Sequence, residues 1–271
     1  MQLRNQHVLI TGGSSGIGRA LARRAAAAGA RVSVLARDPA RLAAVRDEIK
    51  RLTPAAPPVC ILSADVANQS DVLPALAAAE KTHGPIDVLI TSAGIAHPGY
   101  FEDLTIDVFE RTMAVNYFGT LYLVKAVVPG MKQRGHGAVV LISSGAGLVG
   151  LFGYTAYSPT KFALRGLAEA LRAELKSTGV RIMIVYPPDT DTPQLAEENR
   201  TKPVETRALT AAGGLWSADD VAHVTLDGLA RGKFSITPGL PLTTLSWMHS
   251  LLAPLLRWRF DRIAARSRRA S

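Results

Sequence analysis

The segment "HVLITGGSSGIGRALARRAAAAG", residues 7–29, limits what this chain can fold into more than any other stretch. A short apolar run enters a glycine-rich turn directly, and the turn opens an alanine-rich amphipathic stretch that Gly29 closes as a helix C-terminal cap. The order of strand, turn and helix then recurs. "RVSVLAR" (31–37), "PVCILSADV" (58–66), "IDVLITSAG" (86–94), "GAVVLISS" (137–144) and "VRIMIVYPP" (180–188) read as buried strands; between them residues 39–52, 69–83 and 157–179 carry helical periodicity, and 107–134 reads as one or two helices. Parallel strands need crossover helices, and such crossovers are right-handed. The alternation therefore predicts an α/β fold, a doubly wound parallel sheet of the Rossmann type with helices on both faces.

The pattern holds for most of the chain. With 271 residues, 48% of them hydrophobic, one core suffices, so a single domain is expected over residues 1–240 with an apolar and then basic tail over 241–271. After residue 187 the alternation fails: "PPDTDTPQLAEENRTKPVETRALTAAGG" is polar and proline-bearing, and a substrate loop is expected at about 188–215. Residues 218–231 return to helix, and "KFSITPG" is a candidate last strand. The single cysteine, Cys60, reads as a buried strand residue; a disulfide framework is excluded and no metal site is expected.

The formal charge of +9 is concentrated rather than spread. Arg257, Arg259, Arg262, Arg266, Arg268 and Arg269 crowd the tail, and no basic groove interleaved with aromatics occurs elsewhere, so nucleic acid is not an expected partner. A phosphate-bearing cofactor or an anionic membrane fits the charge better. His249, Pro254 and Arg257 interrupt the tail before it could span a bilayer, which leaves two readings open: an amphipathic interfacial helix, or a helix packed on the domain or in an oligomer interface. The opening "MQLRNQHVLITGG" lacks the apolar run of a secretory signal, and the expected location is the cytoplasm or the cytoplasmic face of a membrane.

Two motifs carry chemistry. In "TGGSSGIG", Gly12, Gly16 and Gly18 permit a tight turn, close approach of backbone N–H groups to a pyrophosphate and close packing of helix on sheet, with Ser14, Ser15 and Ile17 lining the same turn. In "YSPTK", Tyr157 and Lys161 lie four residues apart on one helix face, with Pro159 in the first turn, where its missing N–H costs nothing. An ammonium there is expected to lower the pKa of the phenol toward that of a working general acid or base. Tyr154 has only the uncharged Ser158 at that spacing and is assigned no role.

The spacing G-x-x-x-G-x-G resembles that of the short-chain dehydrogenase/reductase family, and the likeness extends from residue 4 to about 235. In that family the aspartate and hydrophobic residue of "ADV", here Asp65 and Val66, meet the adenine; "TSAG" corresponds to an N-A-G turn, keeping Ala93 and Gly94 but placing Ser92 where asparagine is usual. The resemblance implies a catalytic set of Asn116, Ser144, Tyr157 and Lys161, with Ser144 preferred to Ser143 because it precedes Tyr157 by thirteen residues. It implies that Ser144 polarises a substrate carbonyl, that Lys161 also holds the nicotinamide ribose, and that Asn116 orders a relay water. "PPDTDT" stands for the family's P-G-x-x-x-T, with Pro188 in place of glycine; Pro187, Thr190 and Thr192 would line the cofactor, Thr192 at the carboxamide. Homodimers or homotetramers are the family's common assemblies.

The end of the second strand bears on cofactor choice. The position usually acidic in NAD-dependent members is Ala36, followed by Arg37 with Arg41 one turn on, so the expected cofactor is NADPH, its 2′-phosphate clamped by guanidinium groups. A register slip of two would make Asp38 the acid instead. "GLFGYTAYSPTKFALRGLAEAL" and "YPPDTDTPQLAEENRTKP" are similar to the 3-ketodihydrosphingosine reductases within the family. That likeness implies a long-chain 2-amino-3-ketone substrate with a terminal hydroxyl, reduced at C3, with Asp189, Asp191, Glu197 or Glu198 receiving its ammonium. A reductase of another lipophilic ketone (a steroid, a retinoid or an acyl chain) and a non-catalytic NADPH-binding sensor are the alternatives.

Overall fold

The computed structural model describes residues 2–210 and 214–270, the side chains of 267–270 excepted. Its strands are β1 (His7–Thr11), β2 (Arg31–Ala36), β3 (Cys60–Ser63), β4 (Val88–Thr91), β5 (Gly137–Ile142), β6 (Val180–Val185), β7 (Thr190–Asp191), β8 (Trp216–Ser217) and β9 (Ser235–Ile236). Seven of them form one sheet in the order β3-β2-β1-β4-β5-β6-β9, every pairing parallel, and β7 pairs with β8 beside it. The helices are α1 (Gly16–Ala27), α2 (Pro39–Leu52), α3 (Gln69–His83), α4 (Ile106–Met113), α5 (Gly119–Arg134), α6 (Ser158–Leu175), α7 (Pro193–Thr201), α8 (Val204–Thr210), α9 (Ala218–Ala230) and α10 (Leu240–Ala270). This is the expected doubly wound α/β sheet.

The strands read as continuous apolar runs because both faces of the sheet are covered. Leu9, Leu35, Leu89 and Val139 point to one side, where Val72 and Leu76 of α3, Leu123 and Val127 of α5, and Leu164 of α6 close over them. Val8, Ile10, Val34 and Ile90, one residue out of phase, point to the other side, against Leu21 of α1, Leu42 and Val45 of α2, and Leu229 of α9. The chain starts at the centre of the sheet, winds out to β3 and returns past β1 to β4. Strand order reverses there, and a crevice opens at the carboxyl ends of β1 and β4, where such folds bind ligands.

Two local expectations change and one open choice is settled. Residues 193–210 are not an irregular loop but α7 and α8; the side chain of Thr192 accepts the Leu195 N–H at 3.2 Å, and Pro193 opens the helix, a start signal legible in "DTPQL". The stretch looks irregular because its helices rest on the rim of the site and keep much polar surface. Residues 107–134 form α4 and α5 joined by a π-helical turn over Ala114–Phe118, and Asn116 sits in that turn. Cys60 begins the outermost strand and is only partly buried.

α10 is kinked at Met248 and contains Pro254. Its first turns dock on the domain: Leu242 and Leu245 join the core, and Thr243 shares a 2.8 Å hydroxyl contact with Thr237. Beyond the kink the helix presents apolar side chains outward. No helix among the described residues is long and apolar enough to cross a membrane.

Near the base of the sheet His7 is fully buried, its Nδ1 2.7 Å from the Gly84 carbonyl oxygen and its Nε2 2.8 Å from Ser33 Oγ. Burial pushes the imidazole down to about 4, and the buried His83 beside it is lowered for the same reason. Between that value and the ordinary 6.5 the unfolded chain binds a proton that the folded chain does not, so stability rises with pH across this window and is lost as pH falls through it. Urea midpoints are therefore expected to drop from pH 7 toward about 4, His7 alone removing up to about 3 kcal/mol, and His7→Gln should flatten the drop. An equally steep decline in that variant would assign the acid sensitivity elsewhere.

Candidate active site

The turn after β1 is built around contacts that only glycine allows. Gly12 and Gly16 have φ of +65° and +50°, and a Cβ on Gly12 would lie 2.8 Å from the Ala93 backbone and the Ser92 carbonyl oxygen. A Cβ on Gly18 would collide with the Gly12 carbonyl, so the first turn of α1 lies directly on the loop. Gly13, which the motif spacing leaves unassigned, is held the same way: a Cβ there would lie 2.8 Å from the Val34 side chain. No side chain caps α1, whose first-turn N–H groups are left for a ligand. The residues present fit a dinucleotide pyrophosphate.

From this cradle a cavity of about 290 Å3 runs across the carboxyl end of the sheet. Ser14, Ser15, Ile17, Arg37, Arg41, Asp65, Val66, Ala93, Gly94, Ser144, Tyr157, Lys161, Pro187, Thr190 and Thr192 all line it. Thr192 closes over the cradle, since a Cβ on Gly16 would come within 2.9 Å of its methyl group. The structure thus brings together every catalytic and cofactor-binding residue expected from sequence except Asn116, which is fully buried behind the wall. Its Oδ1 accepts the Ile95 N–H at 2.8 Å, and its Nδ2 donates to the Ile95 carbonyl oxygen and to Thr160 Oγ1, each at 3.0 Å. With its amide so engaged, Asn116 clamps the segment after β4 to α6.

At the end of β2, Ala36 is followed by Arg37, whose side chain is exposed at the cavity and takes part in none of the described ion pairs. Asp38 also lines the cavity, yet its carboxylate caps α2, accepting the Ala40 and Arg41 N–H groups at 2.9 and 3.1 Å. Its other oxygen lies 3.3 Å from Arg41 Nε. Asp65 is held by Arg111 at 2.5 Å and by the Ala67 N–H at 3.0 Å. Sequence spacing carried no signal for Arg111, which comes from α4.

Tyr157 stands at the N-cap of α6 with Pro159 in the first turn, as expected. Its electrostatics differ from expectation. Burial raises the phenol well above the ordinary 10, the negative charges of Glu198 and Asp189 raise it further, and only the hydrogen bond with Ser144 opposes them. Lys161 does not overcome this: the ammonium lies 5.3 Å from the centre of the Tyr157 ring, over its face, and donates to the Ile142 carbonyl oxygen at 3.2 Å. Burial pulls Lys161 itself down to about 8. Desolvation of the phenolate outweighs attraction to a cation placed over the ring. Ser143 is turned away, its hydroxyl donating to the Lys161 carbonyl oxygen at 3.0 Å, while Ser144 faces the phenol.

A buried pair that sequence spacing does not connect completes the site. The Tyr154 ring lies 5.5 Å from that of Tyr157, and its hydroxyl donates to Glu198 Oε2 at 2.6 Å, so the tyrosine assigned no role is part of the cavity wall. The two residues are 44 positions apart, and no local pattern links them.

The profile of a family described as short chain dehydrogenase matches residues 6–203. The chain belongs to the short-chain dehydrogenase family. It is an oxidoreductase served by a nicotinamide dinucleotide, for which the glycine cradle and the cavity beside it provide the place. This short-chain dehydrogenase is 42% identical over 241 residues to a 3-dehydrosphinganine reductase of Danio rerio, covering 88% of this chain and 73% of that protein. It is also 42% identical over 258 residues to a 3-ketodihydrosphingosine reductase of Bos taurus, covering 94% of this chain and 77% of the relative. Among solved structures, levodione reductase superposes with a TM-score of 0.80 at 26% identity, over 87% of this chain and 96% of that one.

Proposed function

We propose that this short-chain dehydrogenase reduces the C3 ketone of 3-ketodihydrosphingosine to dihydrosphingosine with NADPH. One observation carries the reading. The family profile ends at residue 203, whereas similarity to the reductase of Bos taurus covers 94% of the chain and so continues through α8 and most of the residues after it. α8 is tied to the substrate side of the cavity, where Thr206 Oγ1 donates at 2.9 Å to the carbonyl oxygen of Phe152, two residues before Tyr154.

Bound in the cleft, the reduced nicotinamide supplies the hydride. The protein's part is to hold the ketone and deliver a proton. Ser144 Oγ, beside the Tyr157 hydroxyl, holds the carbonyl oxygen, and Tyr157 gives that oxygen its phenolic proton. A phenol raised by burial is fully protonated at neutral pH, which is the form reduction needs. Lys161 holds its charge over the ring and steadies the phenolate as it forms. Asn116 acts by position, fixing Ile95 and Thr160 on either side. Arg37, open at the cavity, and Arg41 meet the 2′-phosphate, while the carboxylate of Asp38 is committed to its helix cap and does not compete.

The test is loss of NADPH absorbance with 3-ketodihydrosphingosine in mixed micelles. Turnover is expected. Reduction of steroid or retinoid ketones without reduction of this one would overturn the substrate, and tight NADPH binding with no turnover on any ketone would make the protein a sensor.

The distal part of α10 supports a peripheral membrane contact on an anionic surface facing the cytoplasm. Trp247 just before the kink and Leu251, Leu255 and Trp258 beyond it are 85%, 74%, 59% and 55% exposed, and Arg257, Arg259, Arg262 and Arg266 lie among and after them on the same helix. The side chains of Arg268 and Arg269 lie outside the described residues. The full chain is expected to float with phosphatidylserine vesicles and a chain ending at residue 240 to stay behind; equal flotation would leave α10 a packing element alone.

A further inference from the structure

Four acids of the substrate segment are candidates for the ammonium of an amino ketone, and the fold separates them. Asp191 and Glu197 are exposed and outside the cavity, Glu197 beside Arg200 at 2.8 Å. Asp189 lines the cavity, but its charge is met by Lys202, whose buried Nζ is 3.2 Å away. Glu198 is different. It is 8% exposed, it lines the cavity, and its two partners are neutral: the Tyr154 hydroxyl at 2.6 Å and Gln194 Nε2 at 2.9 Å. None of the described ion pairs includes it. A carboxylate offers about four lone-pair directions, of which two are used here. Leaving such a charge buried without an ion-pair partner is expensive, and its field reaches both Tyr157 and the more distant ammonium of Lys161.

We infer that Glu198, held by Tyr154 beside Tyr157, receives the ammonium of the substrate and makes the site selective for ketones with a cationic amine on the adjacent carbon. This rests on the substrate reading above. The geometry is what the chemistry demands: an amine one carbon from the ketone must lie next to whatever holds the carbonyl oxygen. Tyr157 and Ser144 hold that oxygen, and Tyr154, with its ring 5.5 Å from that of Tyr157, carries Glu198 to the neighbouring position. The arriving cation also cancels the negative field that Glu198 imposes on Tyr157, so binding the right substrate eases formation of the phenolate.

The experiment compares 3-ketodihydrosphingosine with its 2-deamino analogue of equal chain length, using the intact protein and saturating NADPH. Wild type is expected to prefer the amino ketone by roughly tenfold or more in kcat/KM, because the deamino analogue leaves a buried charge unpaired. Glu198→Gln should bring the two substrates within about threefold of each other, mainly through a higher KM for the amino ketone, and Glu198→Asp should restore part of the preference. NADPH binding followed by fluorescence should be unchanged in both variants. Equal handling of the two ketones by wild type overturns the inference without needing any variant, as does a Glu198→Gln enzyme that keeps the full preference. If wild type reduces the deamino ketone and refuses the amino ketone, the substrate reading falls and this inference with it.

Discussion

Tyr157→Phe is expected to lower turnover of the ketone by about 10³-fold, within the 10²–10⁴ range that a positioned proton donor contributes, while NADPH binds as before. The ring stays, so its packing against Tyr154 and under Lys161 is preserved, and only the hydroxyl that faces Ser144 is lost. The glycine cradle is formed by the turn after β1 and by Ser92 and Ala93, none of which touches the phenol oxygen. The loss should therefore appear in kcat, with the dissociation constant of NADPH measured by fluorescence unaltered. Comparable turnover by the variant would show that the proton arrives by another route, and Tyr157 would then be a packing residue.

Arg37→Asp is expected to shift the ratio of kcat/KM for NADPH over NADH by at least about 100-fold toward NADH. Two effects act in the same direction: the charge-assisted hydrogen bond to the 2′-phosphate is worth about 1.5–3 kcal/mol, and the new carboxylate repels that phosphate while accepting from a free 2′-hydroxyl. Arg41→Ala should do less, since Arg41 shares its charge with Asp38 at 3.3 Å. An unchanged NADPH requirement in Arg37→Asp, or equal use of NADH by wild type, would remove the assignment. Because Arg37 is exposed and caps nothing, the variant is not expected to lose stability, which a thermal melt would check.

How much of the molecule was legible in its sequence depends on the range of the interactions involved. Hydrophobic runs, the glycine spacing at 12, 16 and 18, the Tyr157–Lys161 spacing and the proline between them are patterns within a few residues, and each came out where periodicity and turn chemistry place it. "DTPQL" was legible too, as a capping threonine followed by proline, but its polar surroundings concealed a helix. The pairing of Tyr154 with Glu198, the hold of Arg111 on Asp65 and the enclosure of Asn116 between Ile95 and Thr160 join residues 44, 46, 21 and 44 positions apart. No local signal encodes such contacts.

The same division explains the one electrostatic expectation that reversed. Spacing places Tyr157 and Lys161 on one helix face, and from spacing alone the ammonium should lower the phenol. Only the packed structure shows that the cation sits over the ring, bound to the Ile142 carbonyl oxygen, and that burial and the negative charges of Glu198 and Asp189 act on the phenol instead. By itself the sequence determined the doubly wound sheet, the glycine turn after β1 and the placing of Tyr157 and Lys161 on one helix face, because backbone hydrogen bonding, periodicity and helix geometry act over neighbouring residues. The tertiary structure decided which groups are stripped of water and which charges they meet there, because burial and fields are set by segments that approach one another only in the folded chain.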